Sequence, residues 1–354
     1  MSSAPGATLL YAPNLHTGGG LVLLQGLLRC WGGIAPRVAW LDRRAQALLP
    51  VPAGVEVHWV SATVASRWAG ERALQRRARH GDTLLCLNGL PPLLKSAARV
   101  VVFQQNRHLL GLTPLSDFKP RTAVRLGFER AVARHGRRRV DEYIVQTPSM
   151  ARLVAAWYGG SGPRALRVLP FAEDAAAGAP PANKAEAETE WDFVYVSDGE
   201  AHKNHRRLLE AWRLLAAQGL KPRLALTLSA RDGALATEVA AARQREGLEV
   251  HDLGPMSRAQ VLALYRRSRA LIFPSLSESF GLPLVEASQL GLPILAPELD
   301  YVRDVCTPAQ TFDALSPVSI ARAVRRFLGQ PEPPIELAAP SALWDALASP
   351  AAPA

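Results

Sequence analysis

The strongest constraint on the fold is an alternation of short apolar runs with helical segments, which passes along the chain twice. In the first half, six runs with β-branched residues and flanking turn formers predict buried parallel strands, at 7–13, 36–42, 55–61, 82–88, 99–106 and 142–147. Helical stretches separate them, around 20–32, 63–79, 119–138 and 148–158. This order of elements is typical of a doubly wound α/β domain.

A second array follows an interruption. The run EDAAAGAPPANKAEAETE at 173–190 is rich in Ala, Pro and charge and predicts a linker or exposed loop. Five more strands are predicted after it, at 191–198, 223–229, 248–254, 270–275 and 293–298, with helices near 203–217, 234–246, 257–267 and 282–290. The sequence therefore predicts an α/β fold with two doubly wound Rossmann-like domains, at 1–172 and 191–330, and a tail at 331–354. Because such folds bind ligands at the carboxyl ends of their strands, the cleft between the domains is the expected site.

Composition argues against several classes of protein. No uninterrupted apolar stretch of 18 or more residues predicts a transmembrane helix. The N-terminus lacks the basic region of a signal peptide. The three cysteines, Cys30, Cys86 and Cys306, are too widely spaced for a disulfide framework or a metal knuckle. These features favour a cytoplasmic protein.

The net charge of +10 is divided unevenly between the two halves. Residues 1–172 carry 23 Lys and Arg against 8 Asp and Glu, a balance of +15, whereas residues 173–354 carry 18 against 23, a balance of −5. This asymmetry predicts an anionic partner for the first half. The basic stretch at 118–140, FKPRTAVRLGFERAVARHGRRRV, has two interpretations: an amphipathic helix on an anionic membrane surface, or a solvated basic helix packed on its own domain. Nucleic-acid binding is less favoured, because no recognised module or aromatic stacking platform accompanies the charge.

Two glutamates, Glu278 and Glu286, bracket a Gly-Leu-Pro turn in the segment PSLSESFGLPLVEA. A strand is predicted before them and a helix begins after Gly281, so Glu278 lies in the loop and Glu286 about one turn inside the helix. Backbone N–H groups near Ser279 to Leu282 then form a potential anion site. From these residues alone three interpretations stay open: solvated charges, an acid–base pair as in a glycosidase, or a clamp for a polar ligand.

The context of this pair resembles a known family. The segment FPSLSESFGLPLVEASQLGLPILAPELDYVRDVC is similar to the signature of retaining glycosyltransferases of the GT4 (glycosyl transferase group 1) family. Three further segments are similar to their counterparts in that family: VYVSDGEAHKNHRRLLEAWRLL, LGPMSRAQVLALYRRSRALIFPS and FDALSPVSIARAVRRFL. The resemblance covers the second half of the chain. It implies a GT-B fold, in which two Rossmann-like domains face a central cleft. It also implies retaining transfer of a hexose from a nucleotide diphosphate sugar to an acceptor hydroxyl, with no metal and no cofactor.

The resemblance also implies roles for individual residues. Glu286 would bind the ribose hydroxyls of the nucleotide, and Glu278 would bind hydroxyls of the transferred sugar. Lys203, in HKNH, would neutralise the diphosphate. The chain that lies against the sugar and diphosphate is expected at Ser279, Phe280, Gly281 and Leu282.

One position departs from the family pattern. Many members carry an arginine five residues before the lysine, where this chain has Asp198. Either His202, His205 or Arg206 would then supply a second positive group, or Lys203 and backbone dipoles would hold the diphosphate.

The first half contributes a glycine loop, NLHTGGG, after its first strand. Gly18, Gly19 and Gly20 allow a ligand to approach the backbone closely, and the loop resembles one that lines the cleft in the family. A plain flexible turn is the alternative, and the spacing does not fit the dinucleotide-binding fingerprint.

A second polar segment, QQNRHLL at 104–110, also follows a predicted strand. Gln105, Asn106 and His108 are predicted to face the cleft, where the family often has a polar residue touching the sugar. A surface histidine is the alternative interpretation.

These features predict a glycosyltransferase in cell-surface polysaccharide or glycolipid assembly. Its expected partners are a nucleotide sugar, a lipid-linked or saccharide acceptor and an anionic membrane at 118–140, so the expected location is the inner face of the cell membrane. Two alternatives stay open. One is a non-catalytic protein of the same fold that binds membranes or polyanions, and the other is a different nucleotide-sugar enzyme, such as an epimerase or synthase.

Overall fold

A computed structural model describes residues 6–333, apart from 33–36, 88, 112–113, 119, 160–161, 174 and 176–188. Strands and helices alternate through this part of the chain in two successive arrays, and each array forms its own parallel sheet. Most of the predicted linker at 173–190, most of the tail at 331–354, and Lys119 of the basic stretch lie outside the described residues.

The first array forms the N-terminal unit. Its strands are β1 (Thr8–Ala12), β2 (Arg37–Asp42), β3 (Val55–Val60), β4 (Thr83–Cys86), β5 (Arg99–Phe103), β6 (Glu142–Val145) and β7 (Leu166–Val168). Its α-helices are α1 (Gly18–Arg29), α2 (Val64–Arg77), α3 (Pro120–Gly136) and α4 (Pro148–Tyr158). The strand order is β3-β2-β1-β4-β5-β6-β7. In the middle of the sheet, Leu10 of β1 lies beside Ala39 and Leu85.

The second array forms the C-terminal unit. Its strands are β8 (Trp191–Tyr195), β9 (Leu224–Leu226), β10 (Val250–Asp252), β11 (Ser268–Ile272), β12 (Ile294–Pro297) and β13 (Gln310–Phe312). Its α-helices are α5 (His205–Ala217), α6 (Gly233–Glu246), α7 (Arg258–Arg266), α8 (Leu282–Gln289), α9 (Asp300–Arg303) and α10 (Pro317–Phe327). The strand order is β10-β9-β8-β11-β12-β13, and Val194 of β8 lies beside Ala225 and Leu271.

Both sheets are covered on two faces, which explains the near-continuous apolar runs of their strands. In the N-terminal unit, Leu24 of α1 belongs to one apolar cluster, whereas Leu74 of α2 and Val154 of α4 belong to another. Each fully buried leucine stabilises the fold by about 1.5–3 kcal/mol relative to an exposed one. The predicted α/β fold with two doubly wound parallel sheets is confirmed.

The topology determines where a ligand can bind. In each sheet the strand order reverses beside the first strand, between β1 and β4 and between β8 and β11. Loops that leave neighbouring strands at such a switch point turn to opposite faces of the sheet and open a crevice between them. The glycine loop follows β1, Lys203 follows β8 and Glu278 follows β11, so all three lie at switch points.

Some elements differ from the prediction. The three-residue strands β7 and β13 were not predicted, because so short a run carries no periodic signal. Helix α5 begins at His205 rather than 203, since Asn204 adopts a left-handed conformation with φ 66°. Lys203 therefore belongs to a short 3-10 turn, Ala201–Lys203, that precedes the helix.

Candidate functional site

Two loops of the C-terminal unit meet at its switch point. The Leu276 N–H, after β11, donates to the carbonyl of His202, after β8, at 2.8 Å. Ser275 is fully buried, and its hydroxyl donates to Glu278 Oε1 at 2.7 Å. The Tyr301 hydroxyl in turn donates to the Ser275 carbonyl at 2.6 Å. These bonds fix the Glu278 carboxylate relative to both loops.

Lys203 and Glu278 are in direct contact. Lys203 Nζ lies 2.7 Å from Glu278 Oε1, and the side chains are only 18% and 12% exposed. The Tyr195 hydroxyl donates a hydrogen bond to the Lys203 carbonyl at 2.8 Å, and Asn204 Nδ2 donates to the carbonyls of Pro274 and Ala314. The structure thus joins the predicted diphosphate lysine to the predicted sugar glutamate as a half-buried ion pair.

The second glutamate occupies a different environment. Helix α8 begins after Gly281, whose φ of 75° places it in the left-handed region, and Glu286 follows as its fifth residue. Glu286 is buried, and its Oε1 lies 3.4 Å from Arg258 Nε. Burial raises the pKa of Glu286, and the Arg258 charge acts in the opposite direction. A buried carboxylate beside one cation can accept hydrogen bonds from ligand hydroxyls.

Arg258 also connects the two units. Its guanidinium pairs with Glu173, in the segment that follows β7, and Glu173 pairs with Arg29 at the end of α1. The environment of Glu286 is therefore linked to the N-terminal unit through a chain of ion pairs. Sequence reasoning missed both Arg258 and Glu173, because ion pairs between residues this far apart in the chain leave no local pattern.

The glycine loop lies against this site. A Cβ atom at Gly19 would lie 3.0 Å from Leu282 Cδ1, and one at Gly20 would lie 3.0 Å from Gln105 Oε1. Gly18 has φ 68°, and a Cβ there would meet no atom within 4 Å. Gly19 thus packs closely against the α8 entry and Gly20 against the segment after β5, and a side chain at either position would displace Leu282 or Gln105. The glycine loop, the α8 entry and the segment after β5, each singled out in the sequence, therefore lie together.

The segment after β5 divides its side chains between two roles. Asn106 is exposed, and its side chain accepts a hydrogen bond from the His108 N–H at 2.9 Å, which caps a 3-10 turn. Gln105 Nε2 is buried without a hydrogen-bond partner among the described residues. The His108 ring packs against the His202 ring with centroids 5.5 Å apart. The His108 ring therefore lies at the junction of the units, and the sugar or acceptor contacts predicted for Gln105, Asn106 and His108 stay predictions.

Two further contacts converge on Ser279. The Thr147 hydroxyl donates to the Ser279 carbonyl, and the Arg107 N–H donates to the Ser279 hydroxyl, both at 3.3 Å. Beside them the Ser149 N–H donates to Asp304 at 2.8 Å. The N-terminal unit thus touches the loop that carries Glu278. Sequence reasoning passed over Arg107 within QQNRHLL, although its charge was visible there.

Of the three candidates for a second positive group, the two histidines are neutral and the arginine is already paired with a carboxylate. Burial lowers the pKa of His202 to about 3 and that of His205 to about 4, so both rings are neutral near pH 7. Arg206 is exposed and pairs with Glu238 at 3.1 Å. Asp198, at the position of the family's arginine, is exposed. The histidines can therefore exchange hydrogen bonds with a ligand but add no charge to Lys203.

The basic stretch forms α3 and a following 3-10 turn. Its apolar side chains divide between two faces: Leu126 and Ala133 are buried, whereas Val124 is 76% and Phe128 68% exposed. Arg121 and other arginines share the exposed face. Within the part of the chain that the structure describes, no helix is long and apolar enough to cross a membrane. The same residues include no cluster of His, Cys, Asp or Glu that could hold a metal ion.

Comparison with known proteins agrees with this geometry. Residues 180–339 match the family described as "Glycosyl transferases group 1". Serotype-specific mannosyltransferase WbdA from Escherichia coli is 42% identical over 69 residues, which cover 19% of this chain and 8% of that protein. O-antigen chain mannosyltransferase B from Escherichia coli is 30% identical over 115 residues, which cover 32% of this chain and 30% of that protein. The matched stretches thus span less than a third of either relative.

A solved structure shows a similar architecture over most of the chain. Sucrose-phosphate synthase from Thermosynechococcus elongatus has a TM-score of 0.68 at 15% identity and covers 92% of this chain and 90% of that one. The chain therefore has the GT-B fold. Its C-terminal unit contains the residues that match the glycosyl transferases group 1 family.

Proposed function

We propose that the protein is a retaining GT4 glycosyltransferase that moves a hexose from a nucleotide diphosphate sugar to an acceptor hydroxyl. One observation carries this proposal: Lys203, Glu278 and the N-terminal end of α8 converge at the switch point of the unit that contains the match to the group 1 family. A cation, an acceptor of hydroxyl protons and free backbone donors are the groups that a sugar diphosphate requires.

The chemistry follows from the leaving group. Breaking the bond between sugar and diphosphate leaves negative charge on the phosphate oxygens, and Lys203 and the N–H groups of the loop that enters α8, near Ser279 to Leu282, would stabilise it as preorganised donors. Glu278 would accept hydrogen bonds from the sugar, and Glu286 from the ribose. Contacts between the units, such as that of Thr147 with Ser279, would keep water from competing with the acceptor.

We propose that the transfer takes place in the assembly of a polysaccharide or a glycolipid. Both matched relatives are mannosyltransferases by name, and one is named for the O-antigen chain. Mannose is therefore the first hexose to test. The exposed Val124 and Phe128 among arginines suit α3 for peripheral contact with an anionic membrane, at the inner face of the cell membrane.

A panel of nucleotide sugars tests the proposal directly. The protein is heated with UDP-, GDP-, ADP- and dTDP-sugars, and the donor is expected to raise the unfolding temperature because it binds only the folded state. With that donor, free nucleotide should accumulate only when a saccharide or lipid-linked acceptor is present. Absence of any shift across the panel would favour a non-catalytic binding protein. Product formation without an acceptor would favour an epimerase or synthase.

A further inference from the structure

Arg107 contacts the C-terminal unit through its main chain. It follows β5 of the N-terminal unit and begins the 3-10 turn Arg107–Leu110. Its backbone N–H donates to the hydroxyl of Ser279, one residue after Glu278. The residue is thus anchored by its main chain to the loop of the other unit, and its side chain remains available for a separate role.

The guanidinium of Arg107 interacts electrostatically with Glu278, the ion-pair partner of Lys203. Burial lowers the pKa of Arg107, and the nearby Glu278 and Tyr301 act in the opposite direction. Arg107 Nε is buried and has no hydrogen-bond partner within the described part of the chain. An unsatisfied buried donor destabilises a folded protein, so a ligand oxygen that accepts from it gains affinity.

The groups around Lys203 supply little net positive charge for a diphosphate. Lys203 is paired with Glu278 at 2.7 Å, so the pair contributes no net charge. His202 is neutral, and burial together with the charge of Arg107 lowers the pKa of His108. A diphosphate brings negative charge on each phosphate group. Among these neighbours, Arg107 is the positive group that a carboxylate does not already pair at salt-bridge distance.

We propose that Arg107 binds an oxygen of the sugar-linked (β) phosphate of the donor's diphosphate, on the side of Glu278, so that the N-terminal unit completes the phosphate site of the C-terminal unit. This inference rests on the proposed function. Arginine suits the role because its fixed fork of donors can contact two oxygens of one phosphate. The arrangement also makes donor binding dependent on contact between the two units.

The test compares nucleoside diphosphates with monophosphates. Calorimetric titration of the full chain with GDP, GMP, UDP and UMP gives a diphosphate-over-monophosphate affinity ratio for each base. Arg107→Gln is expected to lower diphosphate affinity about tenfold to a hundredfold, the loss of a charge-assisted hydrogen bond, while monophosphate affinity changes little. Arg107→Lys should retain part of the ratio because it keeps the charge. Arg245→Gln, on the exposed end of α6, is the matched control and should leave the ratio unchanged.

The possible outcomes separate the inference from the function on which it rests. If the wild-type protein binds a diphosphate and Arg107→Gln keeps the same ratio, the inference is wrong and the proposed function survives. An equal loss for diphosphate and monophosphate would show a merely structural role. If Arg107→Gln raises only the KM for a phosphorylated acceptor, the residue serves the acceptor and the inference is again wrong. No nucleotide binding by the wild-type protein would overturn both.

Discussion

The two sides of the site are built differently. On the C-terminal side, Glu278 accepts hydrogen bonds from Ser275 and Lys203, whereas Glu286 has an ion pair with Arg258, whose Nε makes no hydrogen bond among the described residues. On the N-terminal side, Gln105 Nε2 and Arg107 Nε are buried without partners among the described residues, and a side chain at Gly18 would meet open space.

This difference indicates which ligands each side of the site can bind. Preorganised groups stabilise a ligand of fixed geometry, because they need not reorganise when it binds. Unsatisfied donors gain most from a ligand that supplies acceptors. We therefore expect substitutions on the C-terminal side to affect turnover and nucleotide binding for any acceptor. Substitutions on the N-terminal side should act on closure of the units, on acceptor or membrane binding and, at Arg107, on binding of the donor's diphosphate.

The largest effect is expected at Lys203. Lys203→Met keeps the length of the side chain and removes the charge that stabilises the leaving diphosphate, so kcat should fall about 10²–10³-fold. Initial rates at saturating donor measure this. Because the substitution leaves Glu278 unpaired, the double variant with Glu278→Gln should be measured too, with thermal unfolding of both. Lys221→Met removes an exposed lysine and is the matched control. Near-normal kcat in Lys203→Met would show that the C-terminal side does not stabilise the leaving group.

A smaller effect is expected at Glu286, and it should appear in binding. Glu286→Gln keeps the shape but removes the charge, and loss of charge-assisted hydrogen bonds to the ribose should raise the nucleotide Kd about 10–100-fold. Titration with the nucleoside diphosphate of the donor measures it. A fall in kcat with unchanged Kd would instead favour the acid–base interpretation of the glutamate pair.

The same residue predicts a pH dependence of known sign. Because the pKa of Glu286 is raised, protonation begins nearer neutral pH than for an ordinary glutamate. A protonated carboxyl accepts fewer hydrogen bonds, so wild-type nucleotide affinity should fall as the pH drops below neutral. Glu286→Gln lacks this ionisation and should show a flatter profile. An equally steep fall in the variant would assign the effect to another group.

The parts of the fold and of the candidate site that depend on local sequence pattern could be predicted. The strands other than β7 and β13, the α8 entry at Gly281 and the loop position of Glu278 all follow from neighbouring residues, and the structure has them where the sequence predicted. The roles of Lys203, Glu278 and Glu286 stay predictions that the geometry supports. The contact between Lys203 and Glu278 could not be derived, because it depends on how two loops 75 residues apart meet.

Long-range packing and charge account for what was not predicted. The hydrogen bond by which Asn106 caps the turn before His108 was not predicted, and the sugar or acceptor contact of Asn106 stays a prediction. Arg107 was overlooked beside it, since only the contact with Ser279 shows that this turn reaches the other unit. Neutral His202 could not be anticipated either, because its low pKa arises mainly from burial.

The last prediction concerns α3, where we expect the smallest effect on transfer and a clear effect on membrane binding. Replacing Val124 and Phe128 with serine should weaken binding to phosphatidylglycerol vesicles about tenfold or more, because two apolar side chains no longer insert. Transfer to a soluble acceptor should be unchanged. The matched control replaces Leu315 and Val318, equally exposed on the acidic C-terminal half, and should leave vesicle binding intact. Added salt should weaken wild-type binding by screening the arginines. If both double variants bind vesicles alike, α3 is a solvated helix and the excess charge of the N-terminal half serves another partner.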